Sequence, residues 1–149
     1  MGANKGDTVK YLPIQDVAVN DSNKDITIAN LGKYDYQLLW LHVDYTATAT
    51  AGNRLLELEL LDPNGDSCGH IHPGSYQAEN LNYHYYFLPG IFRETVSAVA
   101  ESGVDGTIQV PVPAKLIVPA GYTLNIRDAN AVDVAADDML LHGMVEVLR

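Results

Sequence analysis

One cysteine, one tryptophan, two phenylalanines and nine basic side chains are low counts for 149 residues, and several of these shortages remove a class of protein. The lone Cys68 rules out an internal disulfide framework and any cysteine-rich zinc module, so stability has to come from an apolar core. Nine Lys and Arg against nineteen Asp and Glu give a formal charge of -10 at pH 7. That field repels nucleic-acid phosphates and anionic lipid, so neither nucleic acid nor membrane is the expected partner. No apolar run approaches the ~20 residues of a bilayer-spanning helix. The start, Met1-Gly2-Ala3-Asn4-Lys5-Gly6-Asp7, lacks the apolar centre of a signal peptide, so synthesis in a cytoplasm is expected. Gly6 stands where a myristoylation motif needs Ser or Thr. The sequence also has no Gly-x-Ser-x-Gly elbow, no Walker-type loop, no Gly-x-Gly-x-x-Gly turn and no basic patch. A protein that is not an enzyme and carries no cofactor is the expectation.

What is present is strand. Hydrophobic residues make up 47% and charged residues 19%, a composition that folds, and the length suits one domain. Residues 1–13 are polar and aperiodic and read as an N-terminal arm; residues 14–149 read as the folded domain. A short hairpin is expected from Ile14 to Ile28, with Val17, Val19, Ile26 and Ile28 alternating around Asn20-Asp21-Ser22-Asn23. The segment Tyr36 to Thr50 places Leu39, Leu41, Val43 and Tyr45 on one face, and Leu38, Trp40, His42 and Asp44 on the other. Its Thr46-Ala47-Thr48-Ala49-Thr50 run reads as a small-residue strand face. Leu56, Leu58 and Leu60 alternate with Glu57 and Glu59, which suits a strand with one face in the core and one in water. Further strands are expected at Leu81 to Phe87, Leu116 to Val118, Tyr122 to Arg127 and Met139 to Leu148, and the extended run Ile108 to Pro113 is restricted by Pro111 and Pro113 to a sheet edge or a non-ladder position. Strands at such spacing, without an amphipathic helix between them, are the signature of a β-sandwich, jelly roll or barrel, and an all-β, single-domain antiparallel β-sandwich of jelly-roll type is the expectation.

Four groups of residues invite a chemical reading. His70-Ile71-His72 puts two imidazoles on one face of a strand, and Glu79 and His142 are candidates to complete a metal site of the cupin kind. The spacing fits poorly: Glu79 follows His72 by seven residues, and no ligand histidine follows Pro119-Ala120-Gly121. An exposed loop or a subunit contact is the preferred reading of His70 and His72, and no metal is expected. Asp62-Pro63-Asn64-Gly65-Asp66 alternates oxygen donors as calcium loops do, but a β-turn between two strands accounts for all five residues. The irregular tract Asp128, Asp133, Asp137 and Asp138 reads as a solvated loop. Trp40 and the Tyr83 to Phe87 cluster suit either sugar stacking or a protein interface, and the interface is preferred. Its expected contact residues are Trp40, Tyr83, Tyr85, Tyr86, Arg93 and Glu94.

Three stretches carry a family likeness. The run Val43-Asp44-Tyr45-Thr46-Ala47-Thr48-Ala49-Thr50-Ala51-Gly52-Asn53-Arg54, the Leu-rich strand ending in Asp62 with Gly65, and Tyr85-Tyr86-Phe87-Leu88-Pro89-Gly90 together resemble small structural proteins of tailed-bacteriophage virions. The Ile108 to Asp138 part, with Leu116-Ile117-Val118-Pro119-Ala120-Gly121-Tyr122 and Ala135-Ala136-Asp137-Asp138-Met139, looks like the same proteins. The resemblance implies a virion structural protein, foremost a capsid decoration or cement protein, with a head-tail or tail-fibre component next. It implies the major capsid protein or another virion protein as partner, a location on the capsid exterior, and a homotrimer, as capsid local symmetry suggests. A cupin-like metal enzyme or a sugar-binding module is the alternative from a different class.

Overall fold

Alternation of apolar and polar side chains draws this chain into strands, and burial of the apolar faces then pairs those strands into sheets. The computed structural model describes residues 10–14, 21–26, 33–89 and 104–148. Within them the strands are β1 (Lys10–Pro13), β2 (Asn23–Asp25), β3 (Tyr36–Thr46), β4 (Leu56–Leu61), β5 (Ser67–Ile71), β6 (Asn82–Pro89), β7 (Gly106–Val112), β8 (Ile117–Val118), β9 (Thr123–Asp128) and β10 (Asp138–Val147). The larger sheet runs β1-β10-β3-β6-β7, with β8 pairing to β3, and the smaller runs β2-β9-β4-β5. The pairs β1/β10, β2/β9, β3/β6 and β4/β5 are all antiparallel. The chain thus folds on itself like one long hairpin whose successive pairs are shared between two sheets, which is the jelly-roll path.

The expected β-sandwich is the fold, with local departures. β7 pairs with β6 in parallel at the sheet edge. A parallel pair cannot be closed by a hairpin, so this edge departs from the antiparallel expectation. Pro111 does lie on that edge strand, and Pro113 follows its end. The expected hairpin over 14–28 lies largely outside the described residues, Val17, Val19 and Ile28 among them; its described part, β2, pairs with β9. The last four residues of the expected arm, Lys10–Pro13, form β1 against β10, while residues 1–9 lie outside the described residues.

On β3 the register with β10 slips at one point. Trp40 faces Met144 and Leu38 faces Val145, leaving Leu39 as the extra residue of a β-bulge. The bulge changes the parity of the strand, so the core face is Tyr36, Leu38, Leu41, Val43 and Tyr45: Leu41, Val43 and Tyr45 share one face as expected, but Leu38 turns inward in place of Leu39. These residues pack with Tyr85, Phe87, Met139 and Leu141 of their own sheet and with Leu56, Leu58, Leu124 and Ile126 of the other. Lys24 of β2 is also enclosed, its Nζ donating to the Met139 carbonyl.

One end of the sandwich is closed by buried polar groups. β3 ends at Thr46, and the Thr/Ala run continues as a loop whose Thr48 and Thr50 hydroxyls donate to Asp133 Oδ2 at 2.6 and 2.7 Å. Arg54 is fully buried and uses five N–H bonds: Nε and Nη2 to Asp137, Nη1 to the Thr50 and Gly52 carbonyls, and Nη2 to Thr48 Oγ1. Asp128 and Asp137, expected in a solvated loop, are 3% and 0% exposed. Asp128 accepts from the backbone N–H groups of Leu55, Asn130 and Val132, so it folds the β9–β10 turn onto the start of β4. Gly52 has φ +142°, and a Cβ there would meet Val132 Cγ1 at 2.9 Å, so this contact between the two loops requires glycine.

Candidate functional site

Period-two alternation that sends Tyr83, Tyr85 and Phe87 inward sends His84 and Tyr86 outward, and the same holds for His42 and Asp44 on β3 and for Leu140 and His142 on β10. Antiparallel register then sets His42 between Tyr86 and His142, and Asp44 between His84 and Leu140. The His42 ring stacks on Tyr86 with centroids 4.5 Å apart and planes 7° from parallel, and its other neighbours are His84 at 4.8 Å and His142 at 5.7 Å. His84 Nε2 lies 3.5 Å from Asp44 Oδ1. Trp40 and Met144, paired across the same two central strands, extend this patch toward β1 and its outward Tyr11, which is 57% exposed. The outer face of the larger sheet therefore presents Trp40, Tyr86, three imidazoles and the 44%-exposed Leu140 on a rigid backbone.

Of the six expected contact residues, the structure brings two together here. Trp40 and Tyr86 are half-buried on this outer face. Tyr85 is a core residue with no exposed surface, its hydroxyl donating to Gln77 Oε1 at 3.0 Å; Tyr83, on the same inward parity, packs against the core from its margin. Arg93 and Glu94 lie outside the described residues. Sequence inspection missed His42, His84 and His142 as a group because they sit on three strands far apart in the chain. The signal present was their shared outward parity.

His70 and His72 are exposed on the smaller sheet's β5 side, rings 6.1 Å apart, while His142 belongs to the larger sheet. The cupin-like set of His70, His72, Glu79 and His142 is therefore not assembled. Among the described residues, the three-residue group with metal-ligating atoms in mutual reach is Glu57, Glu59 and His70. Glu57 and Glu59 are only 6% exposed, where water was expected on that side. Arg127 of β9 lies across them, Nη2 at 3.0 Å from Glu57 Oε1 and Nε at 3.4 Å from Glu59 Oε2. The Asp62 turn is the expected β-turn: Asp62 Oδ1 accepts from the Asn64 and Asp66 N–H groups, and Gly65 takes φ +87°.

A cavity of about 260 Å³ opens beside the edge strand β5, walled by Leu58, Leu60, Ile71, Leu116 and Leu124. Gly69 faces Leu60 across the ladder, and no atom lies within 4 Å of where its Cβ would stand.

No protein-family model matches the chain, and no curated protein matches it.

Proposed function

We propose that the protein is a structural component of a tailed-bacteriophage virion, a capsid decoration or cement protein that binds the major capsid protein on the shell exterior and acts as a homotrimer without catalysing a reaction. The observation that carries this reading is the outer face of the larger sheet. Trp40 and Tyr86 supply large amphipathic contact area at low entropic cost, Leu140 and Met144 supply apolar surface, and the sheet beneath holds them in fixed positions. A face of this kind suits docking onto another folded protein. Among the described residues β1, β7, β2 and β5 are the edge strands, where backbone groups can pair with neighbouring chains.

The resemblance supports the same reading through residues that build the scaffold. Its Val43 to Arg54 run and its Ala135 to Met139 run meet in the buried Arg54–Asp137 pair. The negative net charge fits an outer shell surface better than one facing packaged nucleic acid. The experiment is co-sedimentation of the full chain with capsids that lack it, alongside its native mass. Saturable binding by a trimer is the expected result; a monomer that sediments with no capsid overturns the proposal.

A further inference from the structure

We propose that Glu57, Glu59 and His70 form a binding site for a divalent transition-metal ion of the zinc type on the outer face of the smaller sheet. Strand alternation puts Glu57 and Glu59 on the same face of β4, and the β4/β5 register sets His70 directly opposite Glu59. One ligand atom from each of the three residues lies within 4.8 Å of the others, close enough for modest side-chain rotation to place all three on one ion. A set of two carboxylates and one imidazole suits zinc and its first-row neighbours, whereas calcium takes oxygen ligands alone.

The electrostatics of the cluster leave room for this ion. Arg127 approaches from the β9 side and takes Glu57 Oε1 and Glu59 Oε2. Among the described residues, no hydrogen bond reaches Glu57 Oε2 or Glu59 Oε1, and His70 stands on the β5 side of both glutamates. Among the described residues these two carboxylates, each 6% exposed, share the Arg127 guanidinium, which leaves one negative charge in excess. A cation held between Glu57, Glu59 and His70 balances it without displacing Arg127. Three protein ligands leave a coordination position for water. Such an ion would also fasten β5, which among the described residues pairs only with β4, to its sheet.

The test uses the full chain, stripped with chelator and then titrated with Zn²⁺ by calorimetry, with melting followed in parallel. One ion per chain and a raised melting temperature are expected in the wild type. Glu59→Gln and His70→Ala are each expected to weaken binding by about tenfold or more. His70 is exposed, so H70A should keep the fold, and circular dichroism would verify this. His72→Ala and His142→Ala are expected to bind as the wild type does. Absence of stoichiometric uptake overturns the proposal, as does uptake that survives H70A or is lost in H142A, which would move the ion to the imidazoles of the larger sheet. Capsid binding is read separately, so failure of either proposal leaves the other intact.

Discussion

Arg54 Nε lies 2.9 Å from Asp137 Oδ2 with both side chains at 0% exposure, although the two residues are 83 positions apart in the chain. The pair joins the β3–β4 loop to the start of β10. Tyr45 donates to the same carboxylate oxygen at 2.9 Å, and the Thr48 N–H donates to the other at 2.8 Å. Burial pushes the Tyr45 hydroxyl well above its ordinary range, with the nearby Asp128 charge adding to the effect, so the hydroxyl stays a neutral donor. Removing one partner of a buried, hydrogen-bonded pair leaves the other charge uncompensated. Arg54→Met is therefore expected to destabilise the fold by about 3–5 kcal/mol in urea unfolding. A loss below about 1 kcal/mol would mean that the pair is not the clamp described.

Acid should act on the same cluster. Burial pushes the Asp137 carboxyl up, but the Arg54 guanidinium, the Thr48 N–H and the Tyr45 hydroxyl together outweigh it and hold the group below its ordinary value of 3.8. Asp133 is also held low, chiefly by the Thr48 and Thr50 hydroxyls. Carboxyls that titrate lower in the folded than in the unfolded chain contribute stability that is full above the unfolded value and lost as pH falls through the folded one. The melting temperature is expected to hold from neutrality down to about pH 5 and to fall below about pH 4. Asp133→Asn should flatten part of that fall.

Gly143 sits on the inward parity of β10, where a Cβ would lie 2.6 Å from both Ile14 Cδ1 and the Trp40 carbonyl oxygen. The carbonyl is backbone in a paired strand and has little freedom to retreat. Gly143→Ala is expected to cost about 1–3 kcal/mol by overpacking. Equal stability of the variant in chemical denaturation would show that β1 and β3 do not close over this position as described.

Gly69 presents the opposite case, since its missing side chain leaves open space beside the β5 cavity. Gly69→Ala is expected to stabilise by about 0.5–1 kcal/mol through the lowered entropy of the unfolded chain. A destabilised G69A would mean that the backbone there needs a conformation only glycine adopts.

The sandwich and most strands were legible because alternation is local, as where Leu56, Leu58 and Leu60 set one face of β4 apart from Glu57 and Glu59. The jelly-roll path followed from strand number and spacing. The Leu39 bulge was not legible, because Leu38 and Leu39 are chemically identical and only pairing with Met144 and Val145 decides which turns inward. The parallel β6/β7 edge was hidden for a similar reason, since pairing direction is a tertiary property. The burial of Arg54 was not legible, because its partner Asp137 belongs to an irregular acidic tract that reads as a solvated loop. Of the outer-face patch, Trp40 and Tyr86 were visible as large aromatics. Tyr85 was misassigned to the interface because a run of tyrosines gives no sign of which parity is the core.

Docking through the outer face of the larger sheet is tested by co-sedimentation with capsids of the Trp40→Ala/Tyr86→Ala double variant beside Tyr76→Ala. Tyr76 is 58% exposed and lies outside that sheet, so it controls for loss of a surface aromatic. The expected result is that the double variant stays folded and loses capsid binding, while Y76A binds as the wild type does. A folded double variant that still binds with wild-type affinity would contradict the assignment of this face as the docking surface.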